Sequence, residues 1–262
     1  MIGMKNIIVL LTGLLLIYTS LFNSNAIAQT ETFVPANGMT IGANYIVFKA
    51  EATESPLGKW QVITSEDARY KTASVPPING THLEFTGNDH NFGPPTSPLE
   101  YKFKCPKTGK YKLGGRLYQR LEGQPSDKCN DVYIKMAGNF TSGNSMPTSV
   151  LKTNQKFFGR GVDKWGAFYS IDSHDHGKEP AVYNLIEGEI YTLTVSGRAQ
   201  RTNVDYWILF ETSIPYKLES NKDIAAFNDA LYRPSVEPEV WTIEHPVIWA
   251  TTEERPQILE TI

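Results

Sequence analysis

Cysteine is nearly absent from this chain: Cys105 and Cys129 are the two it has among 262 residues. Two thiols exclude a disulfide-dense miniature scaffold and cannot by themselves supply a four-ligand metal site. A surplus of one charge is lacking as well. Lys and Arg number 25 against 28 Asp and Glu, a net charge of −3, which offers no electrostatic reason to bind nucleic acid. No phosphate-cradling glycine loop, no serine elbow motif and no internal repeat occurs, which argues against a nucleotide site, an α/β-hydrolase, a solenoid and a propeller. Helical periodicity is scarce. Hydrophobic content of 40% and charged content of 20% are those of an ordinary globular protein.

The first residues carry an address. Lys5 precedes an apolar run from Ile7 to Tyr18, and Ala26-Ile27-Ala28 forms a small-x-small site before Gln29. That layout predicts a signal peptide over 1–28, cleaved after Ala28, and a secreted or periplasmic protein with no membrane span. In an oxidising compartment one Cys105–Cys129 disulfide is expected, tying the strand before Pro106 to the loop after Arg120. The other reading is two separate buried thiols. Asn79-Gly80-Thr81 and Asn139-Phe140-Thr141 fit the glycan-acceptor triplet of a eukaryotic secretory pathway.

Residues 29–44 are polar and turn-rich, an irregular lead-in. From Tyr45 onward, short period-two runs follow one another: Tyr45–Phe48, Leu57–Thr64, His82–Thr86, Leu99–Phe103, Tyr111–Arg120 and Asp131–Met136. Turn residues separate them, as at Asn79-Gly80 and Pro106–Gly109. This predicts an all-β fold over 45–213, an antiparallel β-sandwich. Residues 214–262 form an extension broken by Pro234, Pro238, Pro246 and Pro256, with a short amphipathic helix at 221–231 and with Trp241 and Trp249.

The most informative stretch is Glu187–Glu211, two alternating strands around the polar loop Gly197–Asn203. Gly188, Tyr191, Leu193 and Val195, then Asn203-Val204-Asp205-Tyr206 and Leu209, together with the early Phe48-Lys49-Ala50-Glu51, resemble carbohydrate-binding modules of families six and thirty-five. The resemblance spans roughly Tyr45 to Glu211 and lies in the order of short motifs along the chain. It implies a galactose-binding-like jelly roll. It further implies that Trp165 and Tyr70 are sugar-stacking platforms, that Asn203 bonds ligand hydroxyls, and that a structural calcium ion sits on Glu51 and Asp205. Lys49 stands where relatives often place a further glutamate, a departure that bears on the calcium.

Sugar sites combine aromatic faces, which meet the apolar side of a pyranose, with planar polar groups for the hydroxyls. Arginine adds recognition of carboxylate or sulfate. Arg69, Arg116, Arg120, Arg160, Arg198 and Arg201 fall in or beside the sandwich loops, whereas Arg233 and Arg255 lie in the extension. The resulting expectation is a secreted, non-catalytic protein that recognises an anionic polysaccharide, uronate-rich or sulfated. Its ligand contacts are Trp165, Tyr70, Arg116, Arg120, Arg198, Arg201 and Asn203, and its partners include co-secreted glycan-degrading enzymes. Two alternatives stand beside it. One is a polysaccharide lyase using Tyr118, His174 and loop arginines; the run Asp172-Ser173-His174-Asp175-His176 reads first as an acidic loop and only second as a catalytic metal site. The other is an adhesion protein whose extension docks a partner.

Overall fold

A computed structural model describes residues 36, 38–42, 44–70, 77, 80–162 and 164–213. The expected signal peptide, most of the lead-in, Asn79, Asp163 and the extension with its helix and tryptophans lie outside the described residues. Fourteen strands and one short helix follow in order: β1 (Met39–Ile41), β2 (Tyr45–Lys49), β3 (Trp60–Thr64), β4 (Thr81–Phe85), β5 (Thr96–Lys104), β6 (Gly109–Gln119), β7 (Asp131–Ala137), β8 (Thr141–Ser142), α1 (Thr148–Leu151), β9 (Gln155–Arg160), β10 (Gly166–Ser173), β11 (Gly177–Glu179), β12 (Val182–Leu185), β13 (Ile190–Gly197) and β14 (Thr202–Glu211). Among the described residues no helix is long and apolar enough to cross a membrane.

All pairings between these strands are antiparallel, along the path β1-β2-β14-β6-β10-β9-β7-β13-β5. The fold is the all-β sandwich expected from the alternation. β5 shows why: Leu99, Tyr101 and Phe103 are buried while Pro98, Glu100, Lys102 and Lys104 are exposed, the period-two signature of a strand with one wet face. Tyr191, Leu193 and Val195 of β13 oppose Phe103, Tyr101 and Leu99 in register. These side chains join Phe48, Leu113, Ile134, Phe157, Phe168 and Trp207 in one continuous core. Stacked rings bind its layers, with Phe48 on Tyr101 at 5.2 Å and Phe103 on Tyr191 at 5.6 Å.

β14 is buried along nearly its whole length and pairs with three strands. Asn203 and Val204 bond β4, residues 206–210 bond β2, and β6 runs along the other side throughout. A register shift between Val204 and Trp207 separates the two halves. At this seam Gly115 is required, because a Cβ there would lie 2.5 Å from the Trp207 ring.

The expected Cys105–Cys129 bridge is not formed; both cysteines are free and buried. Geometry forbids it. The Cys105 amide bonds Glu189 just before β13, whereas Val132, three residues after Cys129, pairs with Gly197 at that strand's other end. Eight residues of β13 at roughly 3.3 Å each hold them more than about 20 Å apart, against a Cα separation of roughly 4–7 Å in a disulfide. Burial pushes the Cys129 thiol up to about 11 and raises Cys105 in the same direction. Both thiols therefore stay protonated at neutral pH and react slowly while folded. Thiol titration of the unreduced protein is expected to find two reactive groups per chain in denaturant, and reductant should leave the thermal midpoint unchanged.

Candidate ligand-binding face

The antiparallel register lines up Gln61 of β3, Glu84 of β4, Asn203 of β14 and Tyr118 of β6. Their neighbours Leu83, Val204 and Leu117 point into the core. Alternation therefore turns Glu84, Asn203 and Tyr118 to the opposite side of the sheet, with His82 and Arg116 one period away on the same side.

Four rings form a row across this face. Tyr70 stacks on His82 at 5.6 Å, His82 meets Trp165 edge-on at 5.3 Å, and Trp165 meets Tyr118 edge-on at 5.6 Å. The Arg116 guanidinium lies 4.9 Å from the Trp165 ring centre, a cation–π contact. The ends of the row, Tyr70 and Tyr118, are half-buried, while Trp165 is only 8% exposed and His82 not at all. The Asn203 amide nitrogen donates to the carbonyls of Arg201 (2.9 Å) and Tyr118 (3.4 Å). Its oxygen is buried and accepts nothing, a state that costs roughly 1–3 kcal/mol.

A line of alternating charges runs beside the rings. Asp67 pairs with Arg69 (2.6 Å), Arg69 with Glu84 (3.1 Å), Glu84 with Arg120 (2.5 Å), Arg120 with Glu122, and Glu122 with Arg201 (3.2 Å). The Glu84 side chain is wholly buried, and Arg120 grips both its oxygens. The Arg69 hydrogen bond holds the half-buried Asp67 carboxyl down to about 2, so this pair stays charged across ordinary pH.

Six of the seven expected ligand residues are thus gathered here: Trp165, Tyr70, Arg116 and Asn203 around the rings, Arg120 and Arg201 in the charge line. Arg198 is not. It pairs with Asp131 and lies 5.6 Å over the Tyr133 ring, beyond β13. Burial raises the Asp131 carboxyl even though Arg198 opposes that shift. Missed in the sequence were His82, Glu84 and Glu122. His82 and Glu84 had a signal in β4, where they alternate with Leu83 and Phe85 and must meet partners if that face is covered; Glu122, in the loop after β6, had none.

The residues proposed as lyase machinery are dispersed. His174 and Asp175 face each other at 2.8 Å on a turn, with side chains 99% and 80% exposed. That turn joins β10 to β11, at the far end of β10 from Gly166, which pairs with Leu117 beside Tyr118.

The expected calcium ligands each face a side-chain cation. Asp205 is held by Arg116 at 2.7 Å, and Glu51 faces Lys49 at 3.7 Å. Among the described residues no three His, Cys, Asp or Glu side chains are grouped as they would be to hold a metal ion.

No family model and no curated protein matches this chain. Solved structures similar to it include a Podospora anserina mannanase carrying a family 35 carbohydrate-binding module, 13% identical over 67% of this chain, with a TM-score of 0.37. The matched part spans 30% of that enzyme's length. A family 35 module from Clostridium thermocellum is 16% identical over 64% of this chain and 98% of its own, with a TM-score of 0.35. The C-terminal family 6 module of a Zobellia galactanivorans laminarinase is 12% identical over 64% of this chain and 100% of its own, with a TM-score of 0.36. At these identities the likeness concerns the fold and reaches no residue's role.

Because Glu84 is buried between two arginines, Glu84→Ala is expected to cost roughly 3–5 kcal/mol. Arg69→Ala, at a side chain one-third exposed, should cost at most about 1 kcal/mol. Urea denaturation of the two variants checks the order.

Proposed function

We propose that this protein is a secreted, non-catalytic carbohydrate-binding protein whose ligand meets the aromatic row and the polar groups beside it. One observation carries the reading. Half-buried tyrosines, Tyr70 and Tyr118, end a row of rings flanked by Arg116, Asn203 and Glu84. Pyranose rings demand that pairing of flat apolar faces with planar polar groups. The motif order along the chain supports the same reading, as does the rigidity of the strands, which lowers the ordering cost of binding.

An anionic ligand, uronate-rich or sulfated, is the finer proposal, and it gives Arg69 a part. Its partner Asp67 is only half-buried, with 29% of its side chain exposed, so a ligand carboxylate or sulfate can compete for the guanidinium. Arg120 holds buried Glu84 and has no such freedom. Co-secreted glycan-degrading enzymes are the proposed partners.

Affinity electrophoresis against neutral, uronic and sulfated polysaccharides tests this reading. Tyr70→Ala is expected to weaken retardation by roughly 3–10-fold, the worth of one aromatic contact, and Trp165→Ala by more, because the buried indole supports both tyrosines of the row. For an acidic ligand, retardation should fall as salt rises, and Arg69→Ala should flatten that dependence. Ultraviolet absorbance from unsaturated product would instead assign the chain to the lyases.

A further inference from the structure

We propose that two resident side-chain cations, Lys49 and Arg116, occupy the role of a divalent ion beside Glu51 and Asp205, leaving the folded chain indifferent to calcium. The inference holds whatever the aromatic face binds.

Backbone pairing brings these groups to one junction. Lys49 pairs with Tyr206 across β2 and β14, and the next amide, that of Ala50, donates to the Asp205 carbonyl at 2.9 Å. Lys49, Glu51 and Asp205 are therefore fixed near one another by strand geometry. Charge then decides what the junction can hold. Two carboxylates face two fixed cations, so the set is already neutral, and an ion of charge +2 finds no excess negative charge.

The Arg116–Asp205 pair is the harder half to displace. Its side chains are 4% and 0% exposed, and its N–O distance is 2.7 Å. A calcium ion needs oxygens at roughly 2.3–2.6 Å. Taking the Asp205 carboxylate would break this buried ion pair, which is strongly unfavourable. The Glu51 half shows why a cation is needed there at all. Both its carboxylate oxygens are buried, and neither accepts a hydrogen bond. The Lys49 ammonium, anchored on the Thr81 hydroxyl at 2.7 Å, stands 3.7 Å from Glu51 Oε2 and offsets that charge. A carboxylate at position 49 would leave three acids at the junction against Arg116 alone.

The test uses the full chain, dialysed against chelator and then measured in chelator or in millimolar calcium chloride. For the natural sequence the two thermal midpoints should agree, and equilibrium dialysis should retain no calcium. Lys49→Glu is expected to melt lower in chelator, to rise by roughly 4 °C or more in calcium and to hold about one ion per chain. A calcium-dependent rise in the natural sequence, or one ion retained by it, overturns the proposal. So does a Lys49→Glu protein that folds and ignores calcium. Should that variant fail to fold in either solution, Lys49→Gln takes its place. It removes the resident charge alone, so a calcium response in it supports the proposal and no response overturns it.

Discussion

The register shift in β14 between Val204 and Trp207 is the constraint that the described fold obeys. One strand has to serve β4 with its first residues, β2 with its last, and β6 along its whole length. A slip of one residue without that shift would exchange the faces, sending Trp207 and Leu209 out of the core that they fill. The bulge absorbs the mismatch and sets Asp205 opposite Arg116. Bulges re-aim side chains in this way. A feature that first repairs hydrogen-bond register thus also fixes the guanidinium that lies over Trp165.

The charge line beside the rings obeys a second constraint, the cost of burying ions. Glu84 has no exposed side-chain surface, so it needs its arginines; each of those in turn takes a second carboxylate nearer solvent. Burial increases toward Glu84 and falls toward Asp67 and Glu122. Strength follows that gradient, since exposed pairs contribute little and broken buried ones cost much. The two ends of the line are therefore replaceable and its centre is not.

Much of the sandwich was legible because one wet face and one dry face impose period two, as in Leu99, Tyr101 and Phe103 of β5. β14 hid part of its neighbourhood for the opposite reason: it is buried on both sides, so its sequence does not reveal which strands flank it. The cysteines misled because compartment is a statement about chemistry, while a bridge also requires proximity; β13 holds Cys105 and Cys129 at opposite ends. Arg116 and Asn203 reach the aromatic face from inside β6 and β14, whereas the gathering of Trp165, Tyr70, Arg120 and Arg201 was foreseeable from loop position. The carboxylates that face the arginines were not, because Asp67, Glu84 and Glu122 come from three separate segments and no local pattern joins them to Arg69, Arg120 and Arg201. Arg198 looked like its neighbour Arg201 in sequence, yet Arg198 pairs with Asp131 at the start of β7 while Arg201 pairs with Glu122 in the charge line.

The limited exposure of Trp165 changes what the aromatic row can do. An indole 8% exposed, with rings on two sides and a guanidinium over its face, cannot offer that face to a sugar. It can hold Tyr118 and His82 at fixed angles, and through His82 it fixes Tyr70. Stacking surface then belongs to the two tyrosines at the ends of the row. Removing the indole acts on both of them through lost support, whereas removing Tyr70 acts on one contact alone. On this geometry the loss at Trp165 should exceed the loss at Tyr70, the reverse of what a row ranked by exposure would give.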